Sequence, residues 1–306
     1  MVRSARRLLQ GILVLQAVFA LLVAGAALAL GAPAWAALLA GLGGVVLVRL
    51  AINLNNFLLS SRAASPTPEP YRLDWRARLR LFLEEFRCSM LVTSWHVPRG
   101  RAALRVHADS THPPVLLIHG YGCNSGYWAW LVPLLDAARI SHAGVDLEPV
   151  GGDIDDFAQL VEQRVRALCA ATGAPQVAIV AHSMGGLVAR AWMRRYGTAR
   201  VARVVTLGSP HHGTALARFG PGTNALQMRM DSPWLRALAA AETAQTRALV
   251  TSIYTHQDNI VSPQTTSELP GARNIGFGGV GHVALGRNPR VLAAVMQELE
   301  ALEALA

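Results

Sequence analysis

The amino-acid sequence predicts an α/β fold, in which a mostly parallel sheet has helices on both faces, preceded by two membrane-spanning helices. Two observations predict the sheet. Strand-like and helix-like segments alternate from residue 102 onward, and the first strong strand, Val115–His119, is dominated by apolar side chains. Such continuous apolar runs are typical of buried parallel strands. A third observation predicts the membrane helices, since no charged residue occurs from Leu8 to Val48.

Two apolar stretches lie in this part of the chain, at Leu8–Leu30 and at residues 34–55, and the helix-breaking Gly31-Ala32-Pro33 separates them. A membrane-spanning helix needs about 20 apolar residues. The first stretch meets that length, and the second meets it if the Arg49 side chain reaches the membrane interface. Residues 1–60 are therefore predicted to form a transmembrane hairpin.

Basic charge is concentrated beside the apolar stretches. All 28 basic residues are arginine, and residues 1–110 carry a net charge of +8, whereas residues 111–306 carry +1. The excess therefore flanks the membrane and does not indicate a nucleic-acid partner. The flanking arginines are Arg3, Arg6, Arg7, Arg49, Arg62, Arg72, Arg76, Arg78 and Arg80.

The distribution of these arginines predicts an orientation. They lie before the first span and after the second, while the turn between the spans has no charge. The positive-inside rule then places both termini, and the domain that follows, on the cytoplasmic side of a bacterial-type inner membrane. A cleaved signal peptide over Leu8–Ala29 is the alternative. The second apolar stretch directly after it argues against that interpretation.

Residues 61–110 are predicted to connect the hairpin to the main domain. Ser60–Pro70 is rich in serine, alanine and proline, which is typical of a linker. Tyr71–Trp95 has apolar residues at helical spacing with arginines between them, which predicts a basic amphipathic helix. This helix either lies on anionic lipid or packs on the main domain with its arginines in solvent, because amphipathicity fits both.

Residues 111–306 are predicted to form the main domain, with a short strand just before it. The predicted strands are Ala103–His107, Val115–His119, Ala143–Leu147, Val177–His182, Val201–Leu207, Ala248–Thr255 and Asn274–Gly276. The predicted helices are Tyr127–Ala138, Ile154–Thr172, Leu187–Tyr196 and Pro289–Leu302. Strand–helix units of this spacing build a parallel sheet.

The alternation of strands and helices fails between Gly213 and Thr246. Ser232–Glu242 is predicted as a helix within this region, with Ser232 as its N-cap and Pro233 at its first position. Residues 213–246 are therefore predicted to form a small cap. It is either a mobile lid over a site at the edge of the sheet or a fixed surface excursion.

The motif Ala181-His182-Ser183-Met184-Gly185-Gly186 lies between a predicted strand and a predicted helix. A strand, a sharp turn with a central serine and a helix are the context of a nucleophile elbow. The motif differs from G-x-S-x-G only in having Ala181 at its first position, where a methyl group is small enough. Ser183 is the candidate nucleophile.

A serine hydroxyl needs a base to take its proton and an acid to orient that base. His282 lies in a glycine-rich loop between the last predicted strand and the last predicted helix. Asp258 follows the strand before it, and so completes the chain order Ser, Asp, His. Asp231 and Glu268 are the alternative acids.

The oxyanion that forms during such a reaction also needs hydrogen-bond donors. The first strong strand runs into His119-Gly120-Tyr121-Gly122. The backbone N–H groups of Tyr121 and Met184 are therefore the candidate oxyanion hole. His119, His182 and His212 lie beside the motifs and are candidates for the substrate pocket, although the His182 side chain should point away from the serine hydroxyl.

The sequence from about Pro113 to Ala306 resembles the α/β-hydrolase superfamily, and specifically its lipase/esterase branch. The matching segments are Ile118-His119-Gly120-Tyr121-Gly122, Ala181–Gly186, Leu207–Thr214, Asp258–Pro263 and Gly281-His282. The resemblance implies the α/β-hydrolase fold and hydrolysis of carboxylic esters by a triad of Ser183, Asp258 and His282. No cofactor is expected, and no metal is expected either, because the cysteine and histidine spacings offer no ligand set.

The hairpin and the resemblance together predict a membrane-anchored serine esterase or lipase. Its expected partners are the bilayer and a lipid-like or long-acyl ester, because a tether and a basic helix would keep the enzyme where such substrates concentrate. An acyltransferase or a thioesterase using the same triad is one alternative. A membrane scaffold with an inactive hydrolase fold is another, and the intact set of motifs argues against it.

Overall fold

The computed structural model describes residues 4–302, so residues 1–3, including Arg3, and residues 303–306 lie outside the described range. Its strands are β1 (Leu104–Arg105), β2 (Val115–Ile118), β3 (His142–Val145), β4 (Val177–His182), β5 (Val201–Leu207), β6 (Val250–Thr255) and β7 (Arg273–Phe277). Within residues 4–302 these seven strands form one sheet, in the order β1-β3-β2-β4-β5-β6-β7. Only the edge strand β1 is antiparallel to its neighbour. The predicted mostly parallel sheet is confirmed.

Helices precede and alternate with these strands. They are α1 (Ala5–Ala29), α2 (Ala34–Ser61), α3 (Trp75–Leu91), α4 (Val97–Arg99), α5 (Val132–Ala137), α6 (Ile154–Thr172), α7 (Met184–Tyr196), α8 (Thr223–Gln227), α9 (Pro233–Ala240), α10 (Ala244–Ala248) and α11 (Pro289–Glu300). Helix α6 and strands β4 and β5 have the predicted bounds.

The predicted helix Tyr127–Ala138 is instead a 3₁₀ segment, Ser125–Trp130, followed by α5. Pro133 explains the break, because proline lacks an N–H and is tolerated only in the first turn of a helix.

The chain changes direction across the sheet at β2. It moves from β2 outward to β3 and then returns to β4 on the other side of β2. In open α/β sheets, ligands bind beyond the carboxyl ends of the strands at such a switch point. The loop that begins at His119 and the turn at Ser183 follow β2 and β4, so the topology places both at this point.

Apolar side chains fill both sides of the sheet. Helices α6 and α7 contribute the core on one face, and α5 and α11 contribute the core on the other. Trp192 of α7 and Trp128 are among the largest fully buried side chains. With both faces covered, only the strand ends are left to carry a reactive site.

Helices α1 and α2 pack against each other as a hairpin, and a Cβ at Gly41 would overlap the carbonyl oxygen of Ala20. Both are long and apolar enough to cross a membrane, and only 0% and 11% of their most apolar windows are buried. Core helices of a soluble domain would be mostly buried. Outward-facing apolar side chains include Val14, Leu15, Leu21, Leu22, Leu38, Leu39 and Leu47.

The open ends of the hairpin are attached to the main domain. Near the start of α1, the Gln10 side chain donates to the carbonyl of Pro98 at 3.2 Å. In α2, the Arg49 guanidinium donates to Gln16 of α1 at 2.7 Å and to Ser94 at 2.8 Å. A charged group on an apolar helix is stable where neighbouring protein groups satisfy its donors. Arg49 therefore joins both helices to the segment after α3.

Residues that follow the hairpin also pack on the main domain. The Ser262 hydroxyl donates to the carbonyl of Ser60 at 2.7 Å, and the amide of Ser65 donates to the Gln264 side chain at 3.0 Å. The predicted linker therefore lies along the residues that follow Asp258.

Helix α3 has two apolar sides. It buries Leu81 and Cys88 against the main domain, while Trp75, Leu79 and Leu83 stay exposed at intervals of four residues. The arginines of this helix are also exposed. The outward side combines an apolar stripe with basic residues, as interfacial helices do.

The region at residues 213–246 contains a 3₁₀ segment, Ala215–Phe219, and helices α8, α9 and α10. As predicted, Ser232 caps α9, with its hydroxyl accepting from the amide of Leu235 at 3.1 Å. Gln227 of α8 donates to Asp153 at 2.7 Å. At the far end, buried Arg190 of α7 makes a two-pronged ion pair with Glu242 at 2.6 and 2.8 Å. These contacts fix the middle of the region, at α8, and its far end, at Glu242, to the body of the domain.

Breaking the Arg190–Glu242 pair should destabilise the fold. Removal of one partner of a buried ion pair leaves an uncompensated charge and costs about 3–5 kcal/mol. We expect Glu242→Gln to lower the free energy of unfolding by about that amount, measured by urea denaturation of the full chain in detergent. Asp109→Asn, which breaks the exposed pair with Arg139, is the control and should change little. Equal stability of the two variants would contradict a structural role for the buried pair.

Candidate active site

Ser183 lies in the turn between β4 and α7 with φ 53° and ψ −124°. A positive φ is unusual for a residue with a side chain, and such strain persists only where the surroundings enforce it. Here the Ser183 amide donates to the carbonyl of Leu207 at 2.9 Å. The serine is buried and lies at the carboxyl end of a central strand, as the motif predicts for a nucleophile.

Small residues around the turn let α7 approach the sheet. A Cβ at Gly185 would lie 2.5 Å from the carbonyl oxygen of Ile118, and a Cβ at Gly186 would overlap the Ser209 hydroxyl. The Ile118 carbonyl and the Ser209 side chain would both have to shift to make room, so close packing requires glycine at the two positions. Ala181 faces Ile118 in the parallel register of β2 and β4, and its methyl group is fully buried there.

His282 and Asp258 form a buried pair. Their Nδ1 and Oδ2 atoms are 2.8 Å apart. The other carboxylate oxygen of Asp258 accepts from the amides of Ile260 at 2.8 Å and Val261 at 2.7 Å. These bonds hold the carboxylate in place, and its bond to Nδ1 leaves Nε2 of His282 for proton transfer.

The surroundings of His282 favour its protonated form. Burial alone would lower the pKa of the imidazole, but the charge and hydrogen bond of Asp258, with a further contribution from Glu85, raise it above its ordinary value. A base whose pKa lies nearer to neutral pH is better suited to exchange a proton with a serine and a leaving group.

The structure brings the elements that carry Ser183, Asp258 and His282 together. The His182 ring, next to Ser183, donates from Nε2 to the carbonyl of His282 at 3.2 Å. Gly208 follows Leu207, whose carbonyl binds the Ser183 amide, and it lies beside the other two residues. A Cβ built there would lie 3.1 Å from Asp258 Oδ2 and 3.3 Å from His282 Nδ1. The assignment of the three residues as a triad remains a prediction that this arrangement favours.

The alternative acids lie elsewhere. Asp231 is exposed in the turn before α9. Glu268 accepts a hydrogen bond from the Tyr254 hydroxyl at 2.6 Å. Asp258 is the acid whose carboxylate reaches the His282 ring.

The predicted oxyanion hole lies beside the serine. A Cβ at Gly120 would come within 2.9 Å of the Ser183 Cβ, so the loop after β2 passes directly over the turn. Tyr121 follows in this loop, and its hydroxyl donates to the carbonyl of Pro221 at 2.7 Å. Met184 begins α7, where unpaired amides and the helix dipole favour negative charge. Both predicted donors therefore flank Ser183, and their role stays a prediction.

A cavity of about 290 Å³ opens beside Ser183. The main domain lines it with Tyr121, Thr214, Leu216, Phe219, Met228 and Val261, among others. Most of these side chains are apolar, which suits an acyl group. The 3₁₀ segment Ala215–Phe219 therefore forms part of the cavity wall, and its role as a cap stays a prediction.

The three predicted pocket histidines are not among the cavity-lining residues of the described chain. His119 uses both ring nitrogens internally, with Nδ1 donating to the carbonyl of Gly120 and Nε2 accepting from the amide of Leu147. His182 stacks on Tyr127 at 4.0 Å between ring centroids. His212 is exposed. The first two histidines support the loops of the site and do not face the cavity.

The cavity also has a wall that the sequence analysis missed. Asn55, Asn56 and Leu59, near the end of α2, line it together with Ser183. The signal in the sequence was the polar run Asn53-Leu54-Asn55-Asn56, which interrupts an otherwise apolar helix. Its position 127 residues or more before Ser183 gave no reason to place it at the site.

Glu85 of α3 is a second residue that sequence reasoning missed. It is buried, and its two carboxylate oxygens accept from the amides of Val283 and Ala284, each at 2.9 Å. A Cβ at Gly281 would overlap the same carboxylate. Burial raises the pKa of Glu85. This side chain therefore holds the loop on both sides of His282.

One cluster in the described chain has ligand atoms spaced closely enough for a metal ion, namely His107, Asp136 and His142. It lies at the amino end of β3, whereas Ser183 lies at the carboxyl end of β4. The Asp136 carboxylate already bonds to Arg105 and to His107. The Arg105 guanidinium thus already neutralises the carboxylate that a metal ion would need.

Comparisons with known proteins agree with the fold. Residues 113–253 match the family model described as alpha/beta hydrolase fold. The lipase BlEst2 of Bacillus licheniformis, in its mature form, aligns with a TM-score of 0.56 and 18% identity, covering 65% of this chain and 97% of that one. Lipase B of Aspergillus fumigatus also gives a TM-score of 0.56 and 18% identity, covering 65% of this chain and 56% of that one.

Two sequence relatives are triacylglycerol lipases, from Pseudarthrobacter phenanthrenivorans and Burkholderia plantarii. Each is 31% identical over 119 residues, or 36% of this chain. The matched region spans 37% and 33% of the length of these relatives, which is about a third. The chain is therefore similar to α/β hydrolases of the lipase/esterase type over residues 113–253, and it has their fold.

Loss of the Glu85 carboxylate should disturb His282. We expect Glu85→Gln to lower kcat for a soluble ester by about tenfold, since small displacements of a catalytic group are costly. It should also lower the pKa of His282, because a negative charge that favours the imidazolium is removed. The acidic limb of kcat/KM against pH should therefore move to lower pH.

Glu84→Gln is the matched control, since it makes the same change one residue away on α3. It should leave both kcat and the pH profile unchanged. If the two variants behave alike, Glu85 does not position the histidine.

Proposed function

We propose that this protein is a membrane-anchored serine hydrolase that cleaves carboxylic esters with long acyl chains. The hydrogen-bonded pair of His282 and Asp258, gathered with the strained Ser183 turn at the switch point of the sheet, carries the proposal. The relatedness to triacylglycerol lipases supports an ester substrate. The apolar cavity beside the serine supports an acyl group.

The chemistry follows from the roles of the three side chains. The Ser183 hydroxyl oxygen attacks the ester carbonyl carbon while Nε2 of His282 takes the hydroxyl proton. The amides of Tyr121 and Met184 donate to the oxyanion. His282 then gives its proton to the departing alcohol, which leaves an acyl group on Ser183. A water molecule, deprotonated by His282, releases the acid and restores the serine.

The hairpin supports the membrane part of the proposal. Two outward-facing apolar helices, followed by arginines, are typical of an anchor in a bacterial-type inner membrane with the catalytic domain in the cytoplasm. The exposed side of α3, with Trp75 and Leu79 among its arginines, would add contact with anionic lipid. Under this proposal, the lipids of the membrane and its other long-acyl esters lie within reach of the enzyme.

Removal of the nucleophile should abolish hydrolysis. We expect Ser183→Ala to reduce kcat for p-nitrophenyl butyrate by more than about a thousandfold and to prevent labelling by a fluorophosphonate. Ser209→Ala is the control, because the buried Ser209 hydroxyl has no hydrogen-bond partner in residues 4–302. Retained hydrolysis in a folded Ser183→Ala protein would refute the proposed mechanism.

The anchor should behave as a spanning segment. We expect the full chain, expressed in bacteria, to stay with the membrane pellet in alkaline carbonate and to dissolve only in detergent, because spanning helices are not held by charge alone. A carboxyl-terminal tag should resist protease in spheroplasts and be digested in inverted vesicles. Release by carbonate would contradict the anchor, and digestion in spheroplasts would contradict the orientation.

A further inference from the structure

Helix α2 has two different surroundings over its last two turns. Its outward side keeps Leu54 and Leu58 about half exposed, at 49% and 52%. Its inward side carries Asn56 and Leu59, which line the cavity beside Ser183. If the outward side contacts lipid, only the width of helix α2 separates the bilayer from the candidate active site.

The cavity opens next to this helix. Two cavity-lining residues are themselves exposed, Asn55 on α2 and Phe219 on the cap. They mark an opening between α2 and the 3₁₀ segment Ala215–Phe219. Phe219 is 57% exposed, and Leu226 and Met230 of the same cap region are also large exposed apolar residues. Contact with lipid would remove these apolar side chains from water.

The length of the hairpin indicates where this opening lies relative to the membrane surface. Arg49 bonds to Gln16 and to Ser94, so below that level the hairpin contacts the segment between α3 and β1. Asn124 of the main domain donates to the carbonyl of Val97 in that segment. From Gln16 to the end of α1 at Ala29, the helix rises only about 21 Å. The hydrocarbon core of a bilayer is about 30 Å thick. A hairpin that crosses this core must therefore draw the adjoining surface of the domain into the membrane interface.

We infer that α2 forms one wall of the acyl-binding cavity, and that the enzyme takes a long-acyl lipid ester directly from the bilayer around that helix. This inference rests on the proposed ester hydrolysis. The acyl chain enters between α2 and the cap and lies against Leu59, Leu216 and Phe219. The carboxamides of Asn55 and Asn56 lie at the mouth, where the polar part of a lipid remains near the interface.

This arrangement makes Leu59 a determinant of acyl length. A larger side chain at this position would fill the part of the cavity between α2 and the cap while leaving Ser183 and His282 untouched. A short acyl group needs only the space next to the serine, whereas a long chain must pass Leu59. The two substrates should therefore respond differently to one substitution.

The test uses the full chain in detergent micelles with p-nitrophenyl butyrate and p-nitrophenyl palmitate. We expect Leu59→Trp to lower the ratio of kcat/KM for the palmitate to kcat/KM for the butyrate by at least about tenfold. Leu58→Trp, one residue away on the exposed side, is the matched control and should leave this ratio unchanged. Equal losses on both esters, or no loss on the palmitate, would overturn the inference.

A second measurement does not depend on catalysis. The Ser183→Ala chain is placed in phosphatidylcholine vesicles with a diazirine on one acyl chain, illuminated, and mapped by mass spectrometry. We expect adducts on Leu216 or Val261 inside the cavity, and their loss when Leu59→Trp is added. Adducts confined to outward residues such as Leu54 and Leu58 would overturn the inference.

The two experiments separate failure of this inference from failure of the proposed function. If the native chain hydrolyses the butyrate but lipid labels only the outward side of α2, ester hydrolysis stands and entry from the bilayer does not. If the native chain hydrolyses neither ester while lipid labels Leu216 or Val261, the cavity binds acyl chains and the proposed ester hydrolysis is wrong.

Discussion

The close packing of the Ser183 turn against the end of β2 is the constraint on which the candidate site depends. Gly120 and Gly185 come so near to Ser183 and to the carbonyl of Ile118 that neither position has room for a side chain. This contact holds the serine at a positive φ and fixes the first turn of α7 beside the loop that carries Tyr121. The candidate nucleophile Ser183 and the predicted oxyanion donors are thus positioned by one set of van der Waals contacts.

The other half of the candidate site is supported by residues from far away in the sequence. Asp258 orients the His282 ring, but the loop around that histidine is held by Glu85 of α3. The Ser262 hydroxyl, a few residues after Asp258, bonds to the last turn of α2. Helices α2 and α3 are therefore structurally continuous with the loops that carry Asp258 and His282.

Local patterns predicted the fold and the candidate triad, because each depends on residues close together in sequence. A short window of sequence is enough to recognise three features. They are the helical spacing of apolar residues in α6, the apolar runs of β4 and β5, and the motif around Ser183. Glu85 and Leu59 could not be placed in the same way, since Glu85 binds amides 198 and 199 residues later and Ser183 lies 124 residues after Leu59. The single helix expected over Tyr127–Ala138 failed for a local reason, since Pro133 restarts the helix after a 3₁₀ turn.

Burial of Glu85 shows why the helical segment before residue 111 and the main domain should be regarded as one unit. A buried carboxylate is costly unless it is well bonded, and here two backbone amides of the histidine loop supply those bonds. The two amides in turn depend on the carboxylate, because they lie at the start of a 3₁₀ turn where no internal acceptor is available. A domain beginning at residue 111 would lose this carboxylate together with the α2 wall of the cavity. The segment before residue 111 therefore completes the candidate site in addition to any role it has in the membrane.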